Sequence, residues 1–363
     1  MSSDFSTVFQ DKKVFITGHT GFKGSWLTQW LLQLGASVTG YALSPSYENS
    51  LFQLLDLGSK INNIEADIRD IDVLKSALID FRPDFIFHLA AQAIVSTSYK
   101  HPLDTISTNV LGTANILEGL RHLHHPCCTV LITSDKAYFN SEWVWGYRET
   151  DRLGGKDIYS GSKGAAELVI ESYFSSFFSA DKCIHKIATA RAGNVIGGGD
   201  WAEDRLIPDI YRNWSNHTPV LIRSPSSTRP WQHVLEPLSG YLSLASSLYS
   251  SSKLHGQAFN FGPSFSENKT VIDVINSLFD RHSSLTSFSP YEIIDTVPFS
   301  ESSLLKLNCD KALSCLSWQA KLSYDETIKY VSEWYESYLY DVASVSKITI
   351  NQISEYMTYF SND

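Results

Sequence analysis

Three glycines at positions 18, 21 and 24 form a pattern that can bind phosphate groups. They stand in Gly18-His-Thr-Gly21-Phe-Lys-Gly24, between an apolar run that predicts a strand and a segment with helical spacing. One glycine permits a tight turn, one lets a pyrophosphate approach the backbone, and one lets helix and strand pack closely. The following helix N-terminus offers free N–H groups to an anion. We therefore predict a dinucleotide site rather than a purely structural turn, with contacts from Gly18, Thr20, Gly21, Phe22, Lys23 and Gly24.

Tyr159 and Lys163 form a second candidate, four residues apart in Tyr159-Ser-Gly-Ser-Lys163. On a helix, residues with this spacing share one face. An ammonium group near a phenol stabilises the phenolate, so we expect the pKa of Tyr159 to lie below its ordinary value of about 10. A tyrosinate could then remove a hydroxyl proton while hydride leaves the same carbon. The alternative is a solvated helix face, because such pairs are common.

The elements that must position these residues alternate between strand and helix. Near-continuous apolar runs predict strands that are covered on both faces, which is typical of a doubly wound parallel sheet. We predict an α/β fold with a Rossmann-type sheet and a smaller α/β substrate-binding lobe. The predicted strands are 13–17, 36–43, 61–67, 85–91, 130–134 and 186–195, and the predicted helices are 25–35, 71–81, 109–123, 160–178, 271–279 and 324–340.

The composition of the chain changes after Gly197. Glycine, proline and tryptophan become frequent there, and the hydrophobic periodicity becomes less regular. We predict a dinucleotide-binding domain over residues 1–190 and a substrate-binding lobe over 191–345. Residues 230–262 are a candidate segment that returns to the first domain. Residues 346–363 are predicted to form a tail with one added helix.

Composition excludes several classes of protein. The net charge of -10 makes general binding to nucleic acid or to an anionic membrane unfavourable, and the sequence has neither an apolar membrane span nor a signal-peptide pattern. The 5 cysteines form no CxxC pair, which fits reduced thiols in a cytoplasmic protein. The segment 121–128 contains His and Cys but matches no zinc spacing, so we expect no metal.

The motifs together resemble one enzyme family over roughly residues 13–340. The glycine pattern, Asp67-Ile-Arg-Asp70, His88-Leu-Ala-Ala91 and the Tyr159/Lys163 pair are similar to the extended short-chain dehydrogenase/reductases, which act on nucleotide sugars. The resemblance implies cofactor contacts from Asp67, Ile68, Leu89, Ala90, Ala91, Tyr159 and Lys163. The segment Tyr41–Pro45 offers neither an acid for a ribose nor an arginine for a 2′-phosphate. Local chemistry leaves NAD and NADP open, and the missing arginine favours NAD.

Thr133-Ser134-Asp135-Lys136 stands at the end of the fifth predicted strand, where ligands bind in such sheets. By spacing alone an adjacent Asp and Lys would be an ordinary turn. The resemblance implies more, because dehydratases of the family carry Asp-Glu or Asp-Lys here and simple epimerases do not. It implies that Ser134 assists Tyr159, that Lys136 takes a proton from C5 of the sugar, and that Asp135 protonates the departing 6-hydroxyl.

Segments 191–201, 204–208 and 229–234 are similar to the family members that dehydrate CDP-glucose. The resemblance implies substrate contacts from Gln92, Asn194, Arg205, Arg229 and His233, and arginine suits a diphosphate because it can bind two oxygens at once. Gln92 is followed by Ala93-Ile-Val-Ser96, whereas the family usually has Pro-Leu-Val-Arg. The sugar contacts of this loop therefore depart from the family pattern.

These features predict a lyase that converts CDP-glucose into CDP-4-keto-6-deoxyglucose and water, with NAD used and regenerated. The alternatives are an epimerase, a dehydratase for a UDP- or dTDP-linked sugar, and a dinucleotide sensor without catalysis, because fold alone does not define function. Family resemblance also implies a homodimer or homotetramer that pairs through the helices predicted at 109–123 and 160–178.

Overall fold

A parallel sheet of 7 strands organises the molecule, with the order β3-β2-β1-β4-β5-β6-β9. The computed structural model describes residues 5–180, 183–263, 268–282, 288–294 and 304–360. The sheet strands are β1 Lys13–Thr17, β2 Ser37–Ala42, β3 Asn62–Glu65, β4 Phe85–His88, β5 Cys128–Ile132, β6 Lys186–Ala192 and β9 Ala258–Phe261. The strand order reverses between β1 and β4, which is where Rossmann-type sheets bind ligands. The predicted fold class is confirmed.

Helices cover both faces of this sheet. The first half contributes α1 Phe22–Gln33, α2 Leu51–Leu54, α3 Leu57–Lys60, α4 Ile71–Phe81, α5 Val95–Lys100, α6 Pro102–Ile106, α7 Gly112–Arg121 and α8 Ile158–Tyr173. The second half contributes α9 Leu206–Trp214, α10 Leu235–Ser250, α11 Val271–Phe279, α12 Asp310–Leu316, α13 Tyr324–Tyr340 and α14 Val345–Met357.

Two small strand pairs lie outside the central sheet. Strand β8 (Thr228–Pro230) runs antiparallel to β10 (Asn268–Thr270), and β7 (Val220–Ile222) runs parallel to β11 (Tyr291–Ile293). The sequence predicted neither pair, because strands of three residues are too short to show a period.

Apolar side chains fill both sides of the central sheet. One core includes Trp26 and Trp30 of α1 and Leu238 of α10, and it continues into α13 and α14. The other core includes Leu78 of α4 and Ile116 of α7. Because both faces are covered, the central strands β1, β4 and β5 are largely apolar rather than alternating, whereas β3 at the edge of the sheet is polar and mostly exposed.

Most predicted strands and helices are present in the structure, many of them with shifted ends. The helices predicted at 71–81, 271–279 and 324–340 have the predicted bounds. The helix predicted at 109–123 starts instead with a π-helical turn, Ser107–Leu111, that continues into α7. Helices α9 and α10 were not predicted as helices. Strand β9 pairs with β6 in the central sheet, so the chain returns to that sheet after the Gly197 region. Among the described residues, no helix is both long enough and apolar enough to cross a membrane.

Candidate active site

The glycine-rich loop joins β1 to α1 at the carboxyl edge of the sheet. Gly18 has a φ of 75°, and a Cβ there would lie 2.7 Å from the backbone nitrogen of Ala90. A Cβ on Gly24 would lie 2.1 Å from the carbonyl oxygen of Gly18. Gly21 is exposed and caps α1 without a side-chain hydrogen bond. Two glycines thus permit close packing, and the third leaves the backbone open at a helix N-terminus, as an anion requires.

The loop after β4 packs directly against this turn. The Ala90 N–H donates to Thr17 Oγ1 at 3.2 Å, and Thr17 Oγ1 is also 2.8 Å from His88 Nδ1. Burial, with help from the Lys163 charge, lowers the pKa of His88 to about 3, so its ring is neutral. Leu89 and Ala91 flank Ala90 and are half-buried. The predicted cofactor contacts Leu89, Ala90 and Ala91 therefore lie beside the glycine loop.

Thr20, Asp67 and Ile68 are held by other contacts. Thr20 donates from its hydroxyl to the carbonyl of Leu43 at 2.9 Å. The Asp67 carboxylate pairs with Arg69, whose Nη2 lies 2.6 Å away, and this pair holds the pKa of Asp67 below its usual value. Ile68 is buried in the core beneath Gly112. Asp67 thus reaches the carboxyl edge after β3, whereas the side chain of Ile68 points into the protein.

The Ser134-Asp135-Lys136 turn follows β5. Ser134 Oγ donates to Asp135 Oδ1 at 2.9 Å and accepts from the Lys136 N–H at 3.2 Å. The Asp135 residue is only 5% exposed. The Lys136 ammonium donates to Asn194 Oδ1, 3.5 Å away after the end of β6. The structure therefore brings the candidate residues of β5 and β6 together.

Tyr159 and Lys163 lie on α8, which begins immediately before Tyr159. The Asp157 side chain caps this helix by accepting from the Ser160 N–H at 2.9 Å. Both Tyr159 and Lys163 are buried. Helix α8 packs against the β5 turn, and Ser134 and Asp135 of that turn both influence the pKa of Tyr159, so the tyrosine lies beside the turn.

The pKa expected for Tyr159 is wrong for this structure. Burial raises the pKa of Tyr159 to about 12, the Asp135 charge adds to the increase, and the Ser134 hydrogen bond and the Arg205 charge oppose it. Burial also lowers the pKa of Lys163 to about 8, against the Glu167 charge. Sequence spacing showed that the pair shares a helix face, but desolvation depends on the surrounding fold.

Cations converge on this end of the sheet. Burial lowers the pKa of Lys23 to about 8, and the charges of Arg205, Lys163 and Lys136 act in the same direction, while Asp135 opposes them. Arg205 Nη1 lies 2.7 Å from Asp200 Oδ2. Four cations and two carboxylates, Asp135 and Asp200, thus come from the glycine loop, the β5 turn, α8 and the segment before α9. This excess of positive charge suits an anionic ligand such as a diphosphate.

Three predicted substrate residues have different environments. Gln92 Nε2 donates to Thr105 Oγ1 at 2.8 Å, and its Oε1 accepts from the Ile94 N–H. Arg229 lies on β8, where Nη1 donates to the carbonyl of Thr228 at 3.0 Å. His233 is 0% exposed, with its ring edge-on to Trp26 and Tyr330. The prediction for His233 is corrected, because its ring lies in the core and has no access to a substrate.

The sequence reading overlooked a buried polar cluster behind α8. Thr133 donates to Glu167, and Arg191 Nε donates to Glu167 Oε1 at 2.8 Å. Glu167 follows Lys163 by one helical turn, so the same four-residue spacing could have drawn attention to it. Asn109 also connects the site, because its Nδ2 donates to Ser162 Oγ of α8 at 2.9 Å. Within the described residues, no group of His, Cys, Asp and Glu side chains is arranged to hold a metal.

A glycine-rich turn on a doubly wound sheet, with a Tyr-Lys helix at its carboxyl edge, defines a dinucleotide-binding enzyme architecture. The chain belongs to the GDP-mannose 4,6 dehydratase family, whose model matches residues 15–331. The CDP-glucose 4,6-dehydratase of Salmonella typhimurium is 44% identical over 356 residues, which cover 96% of this chain and 97% of that relative. The CDP-paratose 2-epimerase of Salmonella typhi is 23% identical, covering 90% and 99% of the two chains.

Solved structures support the same fold. A dTDP-glucose 4,6-dehydratase from Streptomyces venezuelae, solved with NAD and TYD bound, superposes with a TM-score of 0.76 at 19% identity and covers 90% of this chain and 97% of its own. The dTDP-glucose 4,6-dehydratase from Bacillus anthracis, solved with NAD, gives a TM-score of 0.73 at 18% identity, with coverages of 90% and 97%. At these identities the likeness concerns the fold.

Proposed function

We propose that this protein is a hydro-lyase that converts CDP-glucose into CDP-4-keto-6-deoxyglucose and water. The observation that carries the proposal is the meeting of Tyr159 and the Ser134-Asp135-Lys136 turn beneath a cluster of cations. A dehydratase needs groups for two proton transfers beyond the first oxidation, and this turn supplies them beside the tyrosine. The 44% identity to the Salmonella CDP-glucose enzyme over nearly the whole chain supports CDP-glucose as the substrate.

The residues of the glycine loop fit NAD as the cofactor. The exposed Gly21 leaves the start of α1 open to a pyrophosphate, and Lys23 adds a positive charge close by. The proposed cofactor contacts are Gly18, Thr20, Phe22, Gly24 and the Leu89–Ala91 segment, with Asp67 proposed to lie near the adenosine. A bound NAD would supply the hydride acceptor for oxidation at C4 and the hydride donor for reduction at C6. The sequence from Tyr41 to Pro45 has no arginine for a 2′-phosphate, which favours NAD over NADP.

Tyr159 removes the O4 proton during oxidation at C4, and the neighbouring Ser134 lowers the pKa of Tyr159, which favours the phenolate. The neighbouring Arg205 charge lowers the pKa of Tyr159, against the effect of burial, and Lys163 holds its ammonium on the same helix face. The group must lose its proton to act as a base. Each cation near it therefore favours the reactive form.

Lys136 and Asp135 carry the elimination. The 4-ketone makes the C5 hydrogen acidic, Lys136 takes that proton, and Asp135 gives a proton to the departing O6 so that water leaves. Asn194 orients the Lys136 amino group through their 3.5 Å contact, and it is the neutral amine form of Lys136 that takes the C5 proton. Reprotonation at C5 then returns the Lys136 proton to the sugar. The proton that Tyr159 took from O4 passes through Ser134, which contacts Asp135, to replace the proton that Asp135 gave to O6, so all three residues are restored.

Arg205, Arg229 and Asn194 are proposed to hold the diphosphate, and Gln92 is proposed to border the sugar. Asp200 fixes the Arg205 guanidinium from one side at 2.7 Å, which leaves its other donors for phosphate oxygens. His233 is not included, because it lies in the core.

Incubation with a panel of nucleotide-linked glucoses tests the proposal. We expect CDP-glucose to lose one water by mass spectrometry without net consumption of added NAD, and a C4 deuterium label to appear at C6. Faster turnover of UDP-glucose or dTDP-glucose would overturn the substrate assignment. Formation of epimers alone would overturn the dehydratase assignment, and binding without any turnover would favour a sensor.

Two variants separate oxidation from elimination. Lys136→Ala should still form reduced nicotinamide with CDP-glucose but should neither release water nor exchange the C5 hydrogen with deuterated solvent. Asp135→Asn should also stall, while C5 exchange continues. Wild-type C5 exchange in Lys136→Ala would show that another group is the base.

We also propose a cytoplasmic location and a homodimer or homotetramer. The five cysteines are free thiols in the structure, as in a reducing compartment. Pairing through these helices is supported by three exposed apolar side chains. They are Leu111 in the π-helical turn, Leu168 on α8, and Phe177 in the π-helical segment Phe174–Phe178 that follows α8. The division into a domain over 1–190 and a lobe over 191–345 remains a proposal. The boundary is not a single cut, because β9 belongs to the central sheet and α10 packs on it.

A further inference from the structure

Three chain segments that carry proposed catalytic groups meet at the carboxylate of Glu167. Thr133 is the residue before Ser134, and its hydroxyl donates to Glu167 Oε1. Arg191 lies on β6, three residues before Asn194, and donates to Glu167 from Nε at 2.8 Å and from Nη2 at 3.0 Å. Glu167 itself lies on α8, one turn after Lys163. One carboxylate therefore connects β5, β6 and α8.

The cluster is buried and its polar groups are satisfied. The side chains of Arg191 and Glu167 are each 4% exposed. The remaining guanidinium nitrogen, Nη1, donates to Tyr138 Oη at 2.6 Å and to the Glu149 carbonyl at 2.9 Å. A two-point pair of this kind fixes both the distance and the relative angle of its partners.

A second contact confirms how closely α8 approaches the β5 turn. Gly164 follows Lys163, and a Cβ on it would lie 3.2 Å from the Ala137 carbonyl oxygen and 2.9 Å from the Gly154 nitrogen. A larger residue would push the helix away. The close approach of α8 to the turn therefore requires a glycine at 164. The contacts of Glu167 with Thr133 and Arg191 also hold α8 near the ends of β5 and β6.

We propose that Glu167, Thr133 and Arg191 are positioning residues of the active site. Their contacts fix the position of α8, and so of Tyr159 and Lys163, relative to the ends of β5 and β6. This inference rests on the proposed function. None of the three residues is assigned contact with substrate. They act through others: Thr133 on Ser134, Arg191 on Asn194, and Glu167 on Lys163. Since small misplacements of reacting groups reduce rates strongly, loss of a single link should lower the rate of oxidation more than it affects binding.

Thr133 offers the mildest test. Thr133→Val keeps the shape but removes the donor to Glu167, whereas Thr133→Ser keeps the hydroxyl. We expect Thr133→Val to lower kcat about tenfold with little change in KM, and Thr133→Ser to retain most of the activity. A wild-type kcat in Thr133→Val, or equal loss in both variants, would overturn the role of this hydrogen bond.

Glu167→Gln tests the charge, with Glu236→Gln as the matched control. Glu236 is another buried glutamate, 1% exposed, and it lies outside the proposed catalytic groups. Because Glu167 raises the pKa of Lys163, its loss should move the alkaline limit of nicotinamide reduction to lower pH and reduce kcat about 100-fold. Glu236→Gln should keep the wild-type profile. An unchanged profile in Glu167→Gln, measured on the folded fraction, would contradict the inference.

A cofactor measurement separates this inference from the proposed function. Calorimetric NAD binding and melting curves are recorded for each variant, so a folded, NAD-binding protein is established without any substrate. If wild-type protein binds NAD but does not dehydrate CDP-glucose, the proposed function fails. If wild-type protein dehydrates CDP-glucose and Thr133→Val matches it in rate and pH profile, the positioning role fails.

Discussion

Two buried glutamates, Glu167 and Glu236, are stabilised in opposite ways. Glu167 faces the permanent charge of Arg191 at the catalytic end of the sheet. Glu236, on α10, accepts from the N–H groups of Lys321 at 3.0 Å and Leu322 at 2.6 Å, and from the Tyr356 hydroxyl at 2.6 Å. These N–H and hydroxyl donors, with a smaller contribution from the Lys321 charge, compensate less for burial than the paired guanidinium of Arg191 does.

The consequence for Glu236 is a high proton affinity. Burial raises the pKa of Glu236 to about 7, although its hydrogen bonds oppose the change. Through Tyr356 this carboxyl anchors α14, the last helix. The same residue type therefore links the active-site segments at one place through an ion pair with Arg191, and at another place attaches the helix α14 through hydrogen bonds.

The largest expected effect separates rate from stability at the catalytic end. Tyr159→Phe removes the hydroxyl that takes the O4 proton, so turnover should fall by about 10²–10⁴-fold. The ring remains to pack, so the melting temperature and the NAD and CDP-glucose affinities should change little. Rate assays and calorimetry on one preparation measure turnover and binding together. Near-normal turnover would remove Tyr159 from the mechanism.

Glu167→Gln should lower the free energy of unfolding more than Glu236→Gln does. It leaves the buried Arg191 charge without its partner, which costs roughly 3–5 kcal/mol. Denaturant unfolding at pH 7.5 measures the loss. Equal stability changes in Glu167→Gln and Glu236→Gln would show that the paired cation makes no difference.

Glu236 should make stability depend on pH. Its pKa rises from the unfolded value of 4.5 to about 7 in the folded protein, so the folded state binds the proton more tightly. The stabilisation is present below pH 4.5 and is lost as pH rises through 7, a change of about 3 kcal/mol.

Unfolding free energies of wild type and Glu236→Gln across this window isolate the contribution, because the other titrating groups are common to both proteins. The wild type should lose stability relative to the variant as pH rises. A constant difference would contradict the raised pKa.

Two helix caps give the smallest effect and test whether the regions are independent. Asp157 caps α8 in the catalytic region, and Ser323 caps α13 in a reciprocal capping box with Glu326. Asp157→Ala and Ser323→Ala should each cost about 1 kcal/mol. The double variant should lose the sum, because distant sites are additive to within about 0.5 kcal/mol. A clear deviation in chemical denaturation would reveal coupling between the two regions.

Local signals predicted the parts of the fold that have local causes. The glycine spacing marked the β1–α1 turn, and apolar runs located the first six sheet strands. The return of β9 and the helix α10 had no such clear signal. The segment from 235 to 250 is hydrophobic around much of its circumference because it is buried, and a buried helix does not show a one-sided pattern.

The site divides in the same way. The sequence by itself determined which groups are available and which share a helix face, since the four-residue spacing of Tyr159 and Lys163 is a property of any helix. Only the tertiary structure decided that Tyr159 is buried with a raised pKa, that His233 lies in the core, and that Thr133, Glu167 and Arg191 meet. Desolvation and ion pairing depend on residues distant in the chain, and those distances exist only after the sheet has assembled.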